Sequence, residues 1–209
     1  TYTLSDGHGG ITTGTATVNV TPVNDAPQAQ PDTATTTEDA PLTGTAPGVL
    51  ANDTDPDSPT LTVTGAQVGT AGSFSNVGSA GLTLAGAYGS LLIRPDGSYT
   101  YTPGAAAQAL NTGSTVQDVF SYRVSDGALT STATLTINVT GANDGPIANP
   151  DIAATKEEEP VTFAVLGNDS DPDGDTLTVS NPLVDPAKGS VTVNPDGTLT
   201  FTPAANVNG

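Results

Sequence analysis

The chain has 209 residues, a formal net charge of −18, and no Cys, Met or Trp. Only Arg94, Arg123, Lys156 and Lys188 oppose 22 acids. A basic stripe for nucleic acid is therefore excluded, an anionic membrane surface repels the chain, and no disulfide framework is possible. Cations are the natural partners. No apolar run reaches membrane-spanning length. The first residue is Thr, with no signal peptide, which points to a piece of a longer chain whose targeting or anchoring signals lie elsewhere.

In chain order, the sequence repeats itself. YTLSDG at 2–7 returns as YRVSDG at 122–127, and ATVNVTPVNDAPQAQPD at 16–32 returns as TLTINVTGANDGPIANPD at 134–151. VLANDTDPD from Val49 matches VLGNDSDPD from Val165, and RPDGSYTYTP from Arg94 matches NPDGTLTFTP from Asn194. The order of the blocks divides the chain. Residues 1–23 are the C-terminal end of one repeat, 24–141 a complete repeat, and 142–209 the N-terminal part of a third. Asn24 to Asn143 gives a period of 119 residues. The complete repeat carries extra Gly/Ser/Ala-rich sequence over Gly65 to Gly89, read as an added hairpin or long loop. The two partial repeats are complementary and together make about one repeat. Either the chain is an excerpt of a tandem array, or consecutive chains complete each other's split domain.

Period-two alternation predicts strands throughout. Val18 and Val20 share a face, as do Leu61 and Val63, Tyr99 and Tyr101, Phe120, Tyr122 and Val124, Leu135, Ile137 and Val139, and Leu199 and Phe201. PDG at 95–97 and 195–197 supplies tight turns, with Asp96 and Asp196 as turn residues. AAAQAL at 105–110 is the one helix candidate, of one or two turns. Six to nine short strands in one period indicate an all-β, antiparallel sandwich.

The acids avoid the predicted strand interiors and gather at repeat ends. They comprise Asp6, Asn24 with Asp25, Glu38 with Asp39, Asp53, Asp55, Asp57 and Asp126, then Asn143 with Asp144, Glu157 and Glu158 with Glu159, and Asp169, Asp171, Asp173 and Asp175. Like charges at this density cost free energy unless neutralised. Ca²⁺ fits: it takes six to eight oxygen ligands and tolerates irregular geometry, whereas Mg²⁺ demands a tight octahedron and soft-metal ligands are absent. DxDxDG at 169–174 resembles the start of an EF-hand loop, but Ser180 (Thr64 in the other copy) stands where that loop needs a bidentate Glu, and a strand-like run follows. The alternative for every Asp-rich loop is a solvated turn, and for Lys156 a surface charge pair. His8, the one His, lies in a Gly-rich turn with no partner cluster, and no nucleophile motif supports a Ser/His/Asp triad. Acids in matching loops of successive repeats look like metal sites rather than the paired carboxylates of a glycosidase.

YRVSDGALTSTATLTINVTGANDGP, the Asp-x-Asp loops and GAYGSLLIRPDGSYTYTP together resemble the cadherin-like repeats, including VCBS repeats, of large bacterial surface adhesins. The resemblance covers essentially the whole chain. It implies tandem cadherin-like, Ig-like Greek-key β-sandwiches in an elongated array, secreted to the bacterial surface and serving adhesion and biofilm formation without enzymatic activity. It also implies Ca²⁺ between repeats. One junction would use Glu38, Asp39, Asn143, Asp144, Asp171 and Asp173. The other would use Asn24, Asp25, Asp55, Asp57 and Asp126 with a Glu from preceding sequence, while Asp53, Asp169 and Asp175 ligate locally or support the loop. The linkers VNDAP and GANDGP lack the extra leading Asp of animal cadherins, which leaves the ion number open. The implied partners are neighbouring repeats of the same or an adjacent identical chain, and surface glycans or other cells. A polysaccharide-binding module is the remaining alternative, for which Tyr88 and the insert offer the one exposed aromatic candidate.

Overall fold

A computed structural model describes residues 1–206; the last three residues of the predicted third segment lie outside the described residues. The strands are β1 (Tyr2–Ser5), β2 (Ile11–Gly14), β3 (Asp32–Thr37), β4 (Leu42–Gly44), β5 (Thr62–Val68), β6 (Ser75–Asn76), β7 (Leu82–Ala85), β8 (Gly89–Ile93) and β9 (Tyr99–Pro103), followed by β10 (Thr115–Ser125), β11 (Thr130–Thr140), β12 (Val161–Phe163), β13 (Gly189–Val193) and β14 (Leu199–Pro203).

Two sheets form the sandwich over residues 32–140. One has the order β3-β11-β10-β5-β6 and the other β4-β9-β8-β7. The long β10–β11 hairpin organises the first sheet because its apolar residues fall on one face at every second position. Phe120, Tyr122, Val124, Leu135, Ile137 and Val139 are all essentially inaccessible, and they meet Leu91, Ile93, Tyr99 and Tyr101 of the opposite sheet. The Tyr101 and Phe120 rings pack edge to face, 6.3 Å apart at 64°, a favoured aromatic geometry. The PDG turns form as expected. Gly97 and Gly197 hold φ of +80° and +83°, a region that a Cβ disfavours.

Four expectations need correction. The sandwich is not wholly antiparallel, since β3 runs parallel to β11 from Asp32↔Leu135 to Thr37↔Thr140. AAAQAL forms successive turns rather than a helix, and the only helical element among the described residues is a 3₁₀ turn at Gly48–Leu50. Ala107 is fully buried there, so the core fixes the segment although its alanines favour helix. The extra sequence after Gly65 is not one appended hairpin. It is woven into both layers, with β6 on the edge of one sheet and β7 on the edge of the other. The carboxylate of Asp118 on β10 anchors it by accepting from the Ala87 and Tyr88 amides (2.7 and 3.1 Å) and the Tyr101 hydroxyl (2.7 Å). Finally, Val18 and Val20 are not in a strand and are 83% and 85% exposed. Their counterparts Ile137 and Val139 are buried in β11, beside β3; among the described residues, 15–20 have no such neighbour.

Residues 142–206 reproduce only part of this plan. The sheet β12-β14-β13 copies β4-β9-β8, with Val161↔Phe201 and Val191↔Phe201 standing for Leu42↔Tyr101 and Leu91↔Tyr101. Residues 151–156, the counterpart of β3, form no strand.

Candidate metal centre

The two Asp-rich loops are fastened by the same set of bonds. Asn52 Nδ2 donates to the Pro31 carbonyl (3.2 Å), as Asn168 Nδ2 does to Pro150 (3.3 Å). Asp53 Oδ1 accepts from the Gln30 amide and Asp169 Oδ1 from the Asn149 amide, both at 2.7 Å. Asp55 Oδ1 accepts from Asp57 N and Ser58 N, and Asp171 Oδ1 from Asp173 N and Asp175 N. Asp57 Oδ2 takes the Asp25 amide and Asp173 Oδ2 the Asp144 amide, each at 2.7 Å. Asp55 and Asp171 thus spend one oxygen on their own loop's backbone, as Asx turns do, while Asp53, Asp57, Asp169 and Asp173 each spend one on a backbone amide 20–32 residues earlier.

The other oxygens are what distinguish these loops from ordinary turns. Asp53 Oδ2, Asp55 Oδ2 and Asp173 Oδ1 are buried with no hydrogen-bond partner, and so is Glu38 Oε2. A buried carboxylate oxygen left unpaired is costly. Glu38 is only 2% exposed. Its placement follows from the parallel pairing of β3 with β11, which brings the Glu38 amide onto the Thr140 carbonyl (3.1 Å). Gln108 Nε2 caps the Glu38 carbonyl at 2.7 Å, and Glu38 Oε1 accepts from the Ala142 amide at 2.6 Å. Two residues on, the Asp144 amide holds Asp173. Glu38 and Asp173 therefore grip the same linker from opposite sides of the 141/142 boundary, each with its second oxygen buried and unpaired. Carboxylate oxygens of Asp171, Asp173 and Asp175 lie within 4.8 Å of one another. The donors are hard oxygens alone, a set suited to Ca²⁺ and unsuited to Zn²⁺ or Cu²⁺.

At the other boundary, Asn24 Nδ2 donates to Asp126 Oδ2 (2.7 Å) and to the Asp25 carbonyl (2.9 Å); Asn143 Nδ2 likewise donates to the Asp144 carbonyl. Bonds from the Ala128 amide, Asn24 and the Leu129 amide hold the Asp126 carboxyl below the usual carboxylate range. Asn24, Asp25, Asp55, Asp57 and Asp126 are thereby connected. Asp53 behaves differently, because burial raises its carboxyl despite the Gln30 amide.

The remaining candidates stand apart. Asp6 is exposed and closes its own turn through the His8 and Gly10 amides, which hold its carboxyl low. Asp39, Glu157 and Glu158 are exposed. Glu157 is the counterpart of Glu38, but it follows residues 151–156, which lack the parallel neighbour that buries Glu38. Tyr88, the proposed glycan platform, is half-buried and packed against the core. Two acids, buried Asp118 and half-buried Asp32, escaped the sequence reading. Asp118 is in phase with Phe120, Tyr122 and Val124, and an acid on the apolar phase of a strand was the available signal. Asp32 accepts from the Tyr122 hydroxyl at 2.7 Å, and nothing local to it gives this away.

A sequence profile of the bacterial cadherin-like domain matches residues 24–141, and one of the bacterial Ig domain matches 143–209. The calcium-binding lectin RapA2 of Rhizobium johnstonii is 35% identical over 108 residues, which cover 50% of this chain and 44% of that protein. The chain thus matches less than half the length of that curated relative. Among solved structures, the endo-fucoidan hydrolase MfFcnA4 from glycoside hydrolase family 107 aligns with a TM-score of 0.37 and 15% identity over 90% of this chain and 25% of its own, a likeness too loose to bear on fold or function. The cadherin-like match spans more than half of the chain and coincides with the sandwich whose last strand leads into the Glu38-bound linker: the chain belongs to the bacterial cadherin-like domain family.

Proposed function

We propose that this chain is a structural segment of an extracellular bacterial adhesin, stiffened by Ca²⁺ at the junctions between its repeats and serving adhesion and biofilm formation rather than catalysis. One observation carries the reading: Glu38 Oε2 and Asp173 Oδ1 are buried and unpaired on either side of a linker whose Ala142 and Asp144 amides hold their sister oxygens. Glu38, Asp144, Asp171, Asp173 and Asp175 would hold the ion, which would supply the positive charge that the four basic residues of the whole chain do not. Asn24, Asp25, Asp53, Asp55, Asp57 and Asp126 form the corresponding set at the preceding boundary.

The residues of the chain do the rest. The parallel β3–β11 pairing seats Glu38, and the Asx turn closed by Asp171 in the 168–175 loop sets Asp173 against the same linker. Uncompensated, these carboxylates repel and the joint loosens; compensated, binding free energy becomes stiffness. The printed name of the RapA2 relative, a calcium-binding lectin, agrees with the cation and favours glycan recognition as a second reading, which a glycan array on the whole chain tests. For the main reading, calorimetric titration of the whole chain with CaCl₂ should show saturable binding with Kd of about 10⁻⁴ to 10⁻³ M, typical of extracellular modules. MgCl₂ should give a much weaker signal, and Asp173→Asn should lose sites. Absence of saturable Ca²⁺ binding would reduce the loops to solvated turns.

A further inference from the structure

Charge is unevenly spread over the sandwich of residues 32–140. Its carboxylates sit in the loops and turns, or point inward as those of Asp32 and Asp118 do. The outer face of the β3-β11-β10 layer carries none. There the outward positions of the three strands hold Thr, Ser, Gln, Asn and Val119, and Arg123 is the one charge among them. In a chain with a net charge of −18, a broad hydroxyl face with a single cation is a local exception.

Arg123 is held in place. It stands opposite Gly65 of β5 on one side and Thr132 of β11 on the other. Gly65, lacking a side chain, leaves room for Phe74, whose ring centroid lies 4.4 Å from the guanidinium carbon. A guanidinium resting on a ring keeps its N–H edge free and fixed in direction. Phe74 ends the 69–74 loop, which folds back over the outer face of β5. Ser121 Oγ donates to the Gly69 carbonyl at 2.7 Å. Gln67 follows core-facing Ala66 and so points outward, yet it is only 6% exposed, because the loop covers it. The loop is thus a raised wall beside the flat hydroxyl face. At the foot of the wall Gln67 Oε1 is buried with no hydrogen-bond partner, an acceptor that the fold itself does not satisfy.

We infer, building on glycan recognition as the second reading above, that this face binds an anionic polysaccharide, with Arg123 as the fork for its oxyanion, a uronate carboxylate or a sulfate ester. A planar guanidinium matches such a group bidentately, which a point charge does not. Thr132 and Thr134 offer hydroxyls alongside, the Phe74 ring offers apolar surface to a sugar, and Gln67 Oε1 offers an acceptor to a sugar hydroxyl at the wall. An anionic polymer on a chain of this charge needs a face without carboxylates. Contact there avoids the acidic loops, whose field falls off over a Debye length of about 8 Å at physiological salt.

The test is biolayer interferometry of the whole chain against polygalacturonate, dextran sulfate and neutral dextran, in about 0.15 M NaCl. Chelator is present throughout, so that calcium cannot bridge the acidic loops to a polyanion. The expected result is binding of a polyanion and none of dextran, and which polyanion binds identifies the oxyanion. Arg123→Gln should weaken binding by about tenfold or more, the loss that follows removal of a charged hydrogen-bonding partner. Arg123→Lys keeps the charge without the fork and should not restore it. Thr132 is exposed, so Thr132→Glu leaves the fold intact while setting a carboxylate beside Arg123, and it should abolish binding. Polyanion binding unchanged in Arg123→Gln and Thr132→Glu, or seen only when calcium replaces the chelator, would overturn the inference. Neutral glycans bound on an array, with neither polyanion bound, would overturn it and leave glycan recognition standing. Absence of binding to any glycan would overturn both.

Discussion

Replacing Glu38 by Gln separates the geometry of the junction from its charge. The amide keeps an oxygen for the Ala142 N–H, which now meets Glu38 Oε1 at 2.6 Å, and exchanges a buried unpaired oxygen for a buried unpaired NH₂. In chelator these changes nearly cancel, so stability should move by less than about 1 kcal/mol. With calcium the two proteins part. A site with Kd of about 10⁻⁴ M at about 10 mM free Ca²⁺ stabilises the folded chain by about 2.7 kcal/mol. At about 2–4 °C per kcal/mol for a chain of this size, the parent melting temperature should rise by about 5–10 °C. Glu38→Gln should lose most of that rise. Near-UV circular dichroism reads the transition through Tyr101 and Tyr122, which are 0% and 1% exposed. An equal calcium shift in the variant would show that Glu38 holds no ion; no shift in the parent would refute the junction reasoning altogether.

Tyr122→Phe should cost about 2 kcal/mol, since the single hydroxyl proton is shared among the Asp32 carboxylate at 2.7 Å and two carbonyls within 3.0 Å; a urea midpoint corresponding to less than about 0.5 kcal/mol would mean that water replaces it. Asp118→Ala should cost about 3 kcal/mol by stranding two amides and a buried hydroxyl, and amide exchange at Ala87 and Tyr88 should accelerate above that elsewhere in the sheet. The Asp32 carboxyl is raised above its ordinary value of 3.8 by burial, against a lowering bond from Tyr122 and with a raising contribution from Asp53. The folded chain therefore holds that proton more tightly than the unfolded chain, and the stability it contributes is complete below pH 3.8 and lost as pH rises through the folded value. Asp32→Asn keeps an acceptor for Tyr122 and drops the charge, so it should flatten that part of the pH–stability curve; an unchanged slope in urea melts between pH 3 and 6, bounds set at roughly one to two units around the value, would contradict the assignment.

Alternation made the β10–β11 faces legible, because one buried face forces period two on the sequence. The PDG turns were legible because Gly97 and Gly197 occupy backbone conformations that few other residues accept. The parallel partnership of β3 with β11 was not, since DTATTT is as compatible with one neighbour as another and its partner lies a hundred residues away. That pairing is what buries Glu38, so the most telling feature of the candidate site rested on the least local contact. Two segments with good strand sequence, residues 15–20 and 151–156, form no strand. Propensity describes a willingness to pair, and pairing needs a second strand.

The parallel pairing of β3 with β11 also fixes how the sandwich bears load. The first and last strands of residues 32–140 run side by side in the same direction, so the polypeptide arrives at one pole and departs from the other. Tension along the backbone pulls these two strands past each other lengthwise. The interstrand bonds from Asp32↔Leu135 to Thr37↔Thr140 are then loaded together, in shear, and must fail almost at once. An antiparallel pair pulled from one end would unzip bond by bond at far lower force. Which of the two arrangements this sandwich has is set by the direction of a single edge strand.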